Sequence, residues 1–186
     1  MNEFFQLQDL VAIAPELQLT AFGLALLIAD LIVSDKRKLG YFALAGLTVS
    51  AYFLFRLGGE DLLAYGGQLA IDEFGTYFKF IFLISAALTI AISMRYLDIE
   101  REHHGEYYAL ILFATMGMMF MASGVDLITL FIGLETMAVS FYILTGFLKP
   151  NPRSNEAAVK YFLLGAFSLG VLLYGMSLVY GATGTT

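Results

Sequence analysis

Six stretches of this 186-residue chain are apolar for close to the length a helix needs to cross hydrocarbon. Spanning the bilayer takes about 20 helical residues, and backbone polar groups there must be satisfied internally, so such runs form helices. They lie at residues 14–33, 39–57, 77–94, 107–122, 127–148 and 157–180. The expected fold is therefore all-α, a polytopic transmembrane bundle of about six helices.

Composition agrees with that expectation. Hydrophobic residues make up 59% of the chain and charged ones 14%, more apolar than a soluble domain of this size accommodates. The net charge of -6 does not mark a soluble acidic protein, because most of the acids fall between the apolar runs. No basic patch is long or aromatic enough to suit nucleic acid. Cysteine is absent, so disulfides, thiolate chemistry and the usual iron–sulfur ligands are excluded from this chain. The first ten residues hold Glu3 and Asp9 but no Lys or Arg, so they lack the basic start of a secretory signal, and the first apolar run is expected to stay.

Helix boundaries follow from local chemistry. Pro15 and Glu16 suit the first turn of helix one, where N–H groups are unpaired and the dipole end is positive. Asp126 can cap helix five, and residues 123–126 leave room only for a tight antiparallel turn. Pro150 and Pro152 interrupt the chain, and Ser154 or Asn155 can cap a sixth helix starting near Glu156. Residues 58–76, with Gly66 and Gly67, form the one connection with room for a hairpin or an interfacial element.

An ionisable side chain in hydrocarbon costs about 2.5–3.5 kcal/mol, so each one needs a reason. Glu135 lies well inside helix five, and its neighbours one turn away, Phe131, Ile132, Ala138 and Val139, cannot pair with a carboxylate. Its partner must come from another helix or from water. It is either a titrating group on a transport path or a protonated acid making a structural hydrogen bond. Lys160, about one turn inside helix six, can take part in proton transfer, or it can snorkel to the interface beside Glu156. The two differ by about 10 Å in depth, so a direct pair is not expected.

Other polar residues read as structural. Asp30 lies within reach of Lys36, Arg37 and Lys38 at an interface, and His103 and His104 sit in a charged loop without a second pair of metal ligands. Met116, Met118, Met119 and Met121 make a packing surface. No G-x-G-x-x-G, P-loop or nucleophile elbow is present.

The segments Gly105-Glu-Tyr-Tyr-Ala-Leu, Asp126-Leu-Ile-Thr-Leu-Phe-Ile-Gly-Leu-Glu135 and Glu156-Ala-Ala-Val-Lys-Tyr-Phe-Leu-Leu-Gly-Ala-Phe-Ser168, with Ala14-Pro-Glu-Leu in helix one, resemble the subunit N family of bacterial NADH:quinone oxidoreductase, respiratory complex I. The broader fold is shared with the other antiporter-like subunits and with Mrp-type cation/proton antiporters. The resemblance implies a fourteen-helix fold with two inverted repeats, in which buried charges and water carry protons. It places Glu135 at the glutamate of the fifth helix and Lys160 at a lysine of the sixth. Family members often have proline where Ser140 stands, so helix five is expected to be less kinked here. The chain ends before the family's broken seventh helix, so an N-terminal portion is expected.

On this resemblance residues 1–104 supply the first three helices, and residues 105–186 begin the proton-translocating domain. The implied function is a membrane-arm subunit that translocates protons, coupled to quinone reduction elsewhere in the complex. The chain itself is expected to hold no cofactor or redox centre, while the complex uses NADH, FMN, iron–sulfur clusters and quinone. Its partners are then other membrane-arm subunits and the lipid bilayer of the cell inner membrane. The rival readings are an Mrp-type antiporter subunit and a scaffold that transports nothing.

Orientation follows from basic residues. Lys36, Arg37, Lys38, Arg95, Arg101, Lys149 and Arg153 fall in the odd connections, against Arg56 and Lys79 on the other side. The odd connections should face the cytoplasm, with both chain ends outside. Single cysteines placed at Ser34 and Gln68 should therefore react with an impermeant thiol reagent from opposite sides. Labelling of Gln68 from the cytoplasm alone contradicts this topology.

Overall fold

A computed structural model describes residues 7–58, 61–100, 102 and 104–186. Its helices are α1 (Leu7–Ala12), α2 (Ala14–Ile32), α3 (Arg37–Leu57), α4 (Glu73–Glu100), α5 (Gly105–Ser123), α6 (Leu127–Thr145) and α7 (Pro152–Thr183). The six from α2 to α7 are long and apolar enough to cross a membrane, as the apolar runs require. Strands β1 (Leu62–Ala64) and β2 (Leu69–Ile71) pair antiparallel in the one connection with room for a hairpin. The turn between them needs positive φ at Gly66 and Gly67, which glycine adopts without a Cβ clash. Arg101 and His103 lie outside the described residues.

Two helices begin a full turn earlier than the apolar runs place them, and α3 and α5 begin two residues earlier. In α7 the Asn151 side chain accepts a hydrogen bond from the Arg153 N–H, and Pro152 is the first helical residue. A proline tolerated at that position starts the helix four residues before Glu156. In α4 the Asp72 carboxylate accepts from the Gly75 N–H, and the helix runs to Glu100, its charged last turns lying beyond the apolar run. The Asp126 cap holds as expected, accepting from the Thr129 N–H at 3.2 Å. With Ser140 in place of proline, α6 is continuous, and the Ser140 hydroxyl donates to the Thr136 carbonyl.

Helix α5 stands at the centre. Leu112, Tyr108, Ala109 and Met119 are fully enclosed by neighbours from α2, α3 and α4, which bring Leu19, Leu26, Ala43, Leu83 and Ile90 into the same core. Its remaining side meets α6 with the two backbones in contact. A Cβ at Gly117 would fall 2.6 Å from the Gly133 carbonyl oxygen and 2.8 Å from the Met137 nitrogen. Met116 joins this packing, its sulfur 2.7 Å from the Thr20 hydroxyl. Helix α7 packs mainly on α6: Tyr142 makes edge contacts with Tyr161 and Phe162, and the Ser154 hydroxyl donates to the Thr145 carbonyl. None of α7 is buried, so its apolar surface is free to meet lipid or other protein.

The helix ends gather on two faces. On one, Asp30 pairs with Lys36 at 3.0 Å and accepts from the Gly105 N–H at 2.7 Å, while Arg37 pairs with Asp98 at 3.2 Å. On the other, the β-hairpin ties Asp9 to the Tyr65 N–H and the Gln68 carbonyl to the Val125 N–H.

The α5–α6 contact makes a sharp prediction. Gly117→Ala forces two backbones apart and should destabilise the complete subunit by about 1–3 kcal/mol. Gly58→Ala, where the nearest atom to a Cβ is 3.4 Å away, should be close to neutral. Thermal dissociation of the detergent-solubilised complex measures both, and equal behaviour of the two variants contradicts the contact.

Candidate functional site

Glu135 owes its surroundings to the α5–α6 crossing. Gly133 and Ser140 are the buried residues of α6, and Gly133 lies against Gly117 and Met121. Glu135, two residues on, projects about 200° away around the helix. It shares its side with Phe131 and Tyr142, the residues of α6 that face α7. Tyr142 abuts Gly165 and Tyr161, whereas Phe131 helps line an apolar cavity of about 380 Å³ with Leu173 and Met176. Glu135 sits between those two levels. Its Oε2 is buried and has no hydrogen-bond partner among the described residues.

Lys160 is placed differently. Its ammonium lies 2.5 Å from Glu156 Oε1 on the same face of α7, and both side chains are more than 60% exposed on the bundle surface. The two expected site residues are therefore not brought together. Asp30 is an interfacial anchor, as expected, but its bond to Gly105 at the start of α5 was not foreseen. His104 pairs with Glu102 at 3.3 Å and lies edge-on to Phe147. His103 falls outside the described residues. Among the described residues no group of three His, Cys, Asp or Glu could hold a metal ion.

A second intramembrane acid escaped the sequence reading. Glu16 of α2 is 1% exposed, Lys79 of α4 is 4% exposed, and Lys79 Nζ lies 2.6 Å from Glu16 Oε1. The contact is short but lies off the hydrogen-bond direction, and neither carboxylate oxygen accepts a well-formed hydrogen bond. Glu16 stands in the first turn of α2 beside Pro15, as expected, and in addition faces Lys79; the placing of Lys79 in the outer basic count needs correction. Lys79 is buried, so that face keeps Arg56 alone of the pair. The cause was a boundary: α4 begins at Glu73 rather than near residue 77, which sinks Lys79 by about 9 Å instead of one short step. The usable signal was the lysine itself, a charge with no acid one turn away in its own helix.

The chain is similar to proteins already characterised. Residues 124–186 match the family model described as NADH:quinone oxidoreductase/Mrp antiporter, TM. The chain is 48% identical over 96% of its length to NADH-quinone oxidoreductase subunit N 1 of Koribacter versatilis, and 45% identical over 99% to subunit N of Trichlorobacter lovleyi. Over nearly its whole length, then, the chain is similar to the N subunits of these oxidoreductases. It spans 37% and 38% of the length of those two relatives. It also superimposes on a chain of respiratory complex I from Thermus thermophilus, solved with bound aureothin, with a TM-score of 0.79 and 29% identity over 92% of this chain and 37% of that one. An archaeal membrane-bound sulfane sulfur reductase shares the fold, with a TM-score of 0.81 at 22% identity over 95% of this chain and 38% of the other. This chain therefore carries the antiporter-like membrane fold.

The position of Lys160 yields a test in the complete subunit. An exposed acid–base pair of this spacing couples by about 0.3–0.5 kcal/mol. A Lys160–Glu156 double-mutant cycle on stability should return a value in that range. Lys160→Arg should keep most activity and Lys160→Ala should lose part of it. A coupling near zero together with loss of pumping in Lys160→Ala rules out the local salt bridge as the role of this lysine.

Proposed function

We propose that this chain works within a membrane-arm subunit of a proton-pumping NADH:quinone oxidoreductase, carrying protons through Glu135, with Lys160 and water completing the path. The observation that supports this most is the buried Oε2 of Glu135, without a hydrogen-bond partner among the described residues, on the side of α6 turned away from α5. A carboxyl in that position has its proton affinity set by whatever approaches it. Desolvation favours the neutral acid, and a cation drawn close favours the carboxylate. Moving that cation in or out makes the acid take up or release its proton.

No redox centre is needed in this chain, which has no cysteine. Each charge moved against 100 mV requires about 2.3 kcal/mol, and on this reading quinone reduction elsewhere in the complex supplies it. NADH, FMN, iron–sulfur clusters and quinone belong to the partner subunits. We assign residues 1–104 to the frame and residues 105–186 to the start of the proton-translocating part; the family model matches within the second. The subunit lies in the cell inner membrane with the hairpin face outward, supported by the basic residues gathered on the opposite face.

The family model also embraces Mrp antiporters. Co-purification with flavin and iron–sulfur partners supports the oxidoreductase, and their absence from the native assembly supports the antiporter.

Glu135 decides whether the chain transports or only fills space. In the complete subunit, Glu135→Asp should keep partial pumping, while Glu135→Gln should lose most of it, because Gln preserves size and hydrogen bonding but cannot titrate. Assembly is checked by electron transfer from NADH to a soluble acceptor. An assembled Glu135→Gln complex that pumps like the parent makes Glu135 structural and favours the scaffold.

A further inference from the structure

Among the described residues, Glu16 and Lys79 form the one ion pair enclosed within the helices, and they do so away from α6 and Glu135. Glu16 is the third residue of α2 and Lys79 the seventh of α4, so the pair lies in the half of the bundle beneath the β-hairpin. Stability alone is a poor reason for such a pair, since apolar residues of like volume are commonly as good or better.

The chemistry around the carboxylate is sparse. A buried carboxylate kept permanently ionised is usually held by two or three N–H donors, and Glu16 has no well-formed hydrogen bond on either oxygen. Nearby hydroxyls are directed elsewhere: Ser50 of α3 donates to the Pro15 carbonyl, Thr20 to the Glu16 carbonyl, and Ser123 of α5 to the Met119 carbonyl. From α3 and α5 no charged side chain is buried with the pair. The other charged groups at this end, among the described residues, are Asp9 of α1, which accepts from the Tyr65 N–H, Arg56 at the close of α3, Asp61 beside β1, Asp72 and Glu73 at the start of α4, and Asp126, which caps α6. Beyond the positive end of its helix, the ionised form of Glu16 rests on Lys79 alone.

We propose that Glu16 and Lys79 are a second proton-exchange site of the subunit, distinct from Glu135, loaded and unloaded at Glu16 Oε2. This rests on the reading that the subunit moves protons. With the ammonium at 2.6 Å the carboxylate is stabilised. When the flexible lysine stem swings its tip away, burial favours the acid, and one proton bonds to Oε2. Return of the ammonium breaks that O–H bond and releases the same proton. Lys79 keeps its three N–H bonds throughout, so the pair cycles between net charges of zero and plus one.

The test uses the complete subunit in the assembled complex. Glu16→Gln combined with Lys79→Met leaves no unpaired charge, and should assemble and reduce quinone while its proton-to-electron ratio falls below the parent's. Redox-induced infrared difference spectra of the parent should contain a carboxylic-acid C=O band that shifts in D2O and persists in Glu135→Gln. That band should be displaced in Glu16→Asp, which retains the charge pair and so assembles even if the neutral double variant does not. A full proton-to-electron ratio in the double variant, or a spectrum unchanged by Glu16→Asp, makes the pair a static salt bridge. Loss of pumping in Glu135→Gln together with a full proton-to-electron ratio in the double variant would overturn only this proposal, whereas full pumping in Glu135→Gln would overturn the function it rests on.

Discussion

The backbone contact between α5 and α6 at Gly117 and Gly133 determines which side chains face protein and which face outward. In hydrocarbon there is no hydrophobic force to press helices together, so close packing through small residues has to do it. With one side of α5 committed to α6, its remaining sides take α2, α3 and α4 around Tyr108, Leu112 and Met119. The same contact rotates α6 so that Gly133 and Ser140 are buried while Glu135 points away from the core, toward the α7 side. A bulkier residue at either glycine would shift all of these together.

Much of this was legible in the residues. Apolar runs of spanning length identify helices because the bilayer permits little else, and Asp126 or Pro15 marks an end because unpaired N–H groups have few other remedies. Boundaries in polar sequence were harder. Asn151 with Pro152, and Asp72 with Gly75, start helices one turn earlier than the apolar pattern, since a cap extends a helix into water without any apolar residue to show it. That single turn hid Lys79. Pairing between α2 and α4 is tertiary information: nothing local links Glu16 to a lysine 63 residues later, at 2.6 Å in the fold. Glu135, by contrast, stood out because its own helix offers it nothing.

The two acids pose opposite electrostatic problems. Glu16 has a cation in contact and no well-formed hydrogen bond on either oxygen, so Lys79 is its one close partner among the described side chains. Glu135 has a buried oxygen with no hydrogen-bond partner among the described residues. Burial opposes the charge of both, and only a cation or water can offset it. They also occupy different parts of the bundle, one enclosed by α2 to α5 and the other on the α7 side of α6. On the proposed function, proton movement then depends on how far each counter-charge travels.

The most direct measurement is a high-resolution experimental map of the complete complex, with waters resolved, around Glu135. The account predicts a water chain or a cationic side chain from another element within hydrogen-bond distance of Oε2, on the side of α6 away from Gly117. A Glu135 carboxyl turned back to bond the α5 backbone, with neither water nor cation beside it, would contradict the claim that this acid titrates.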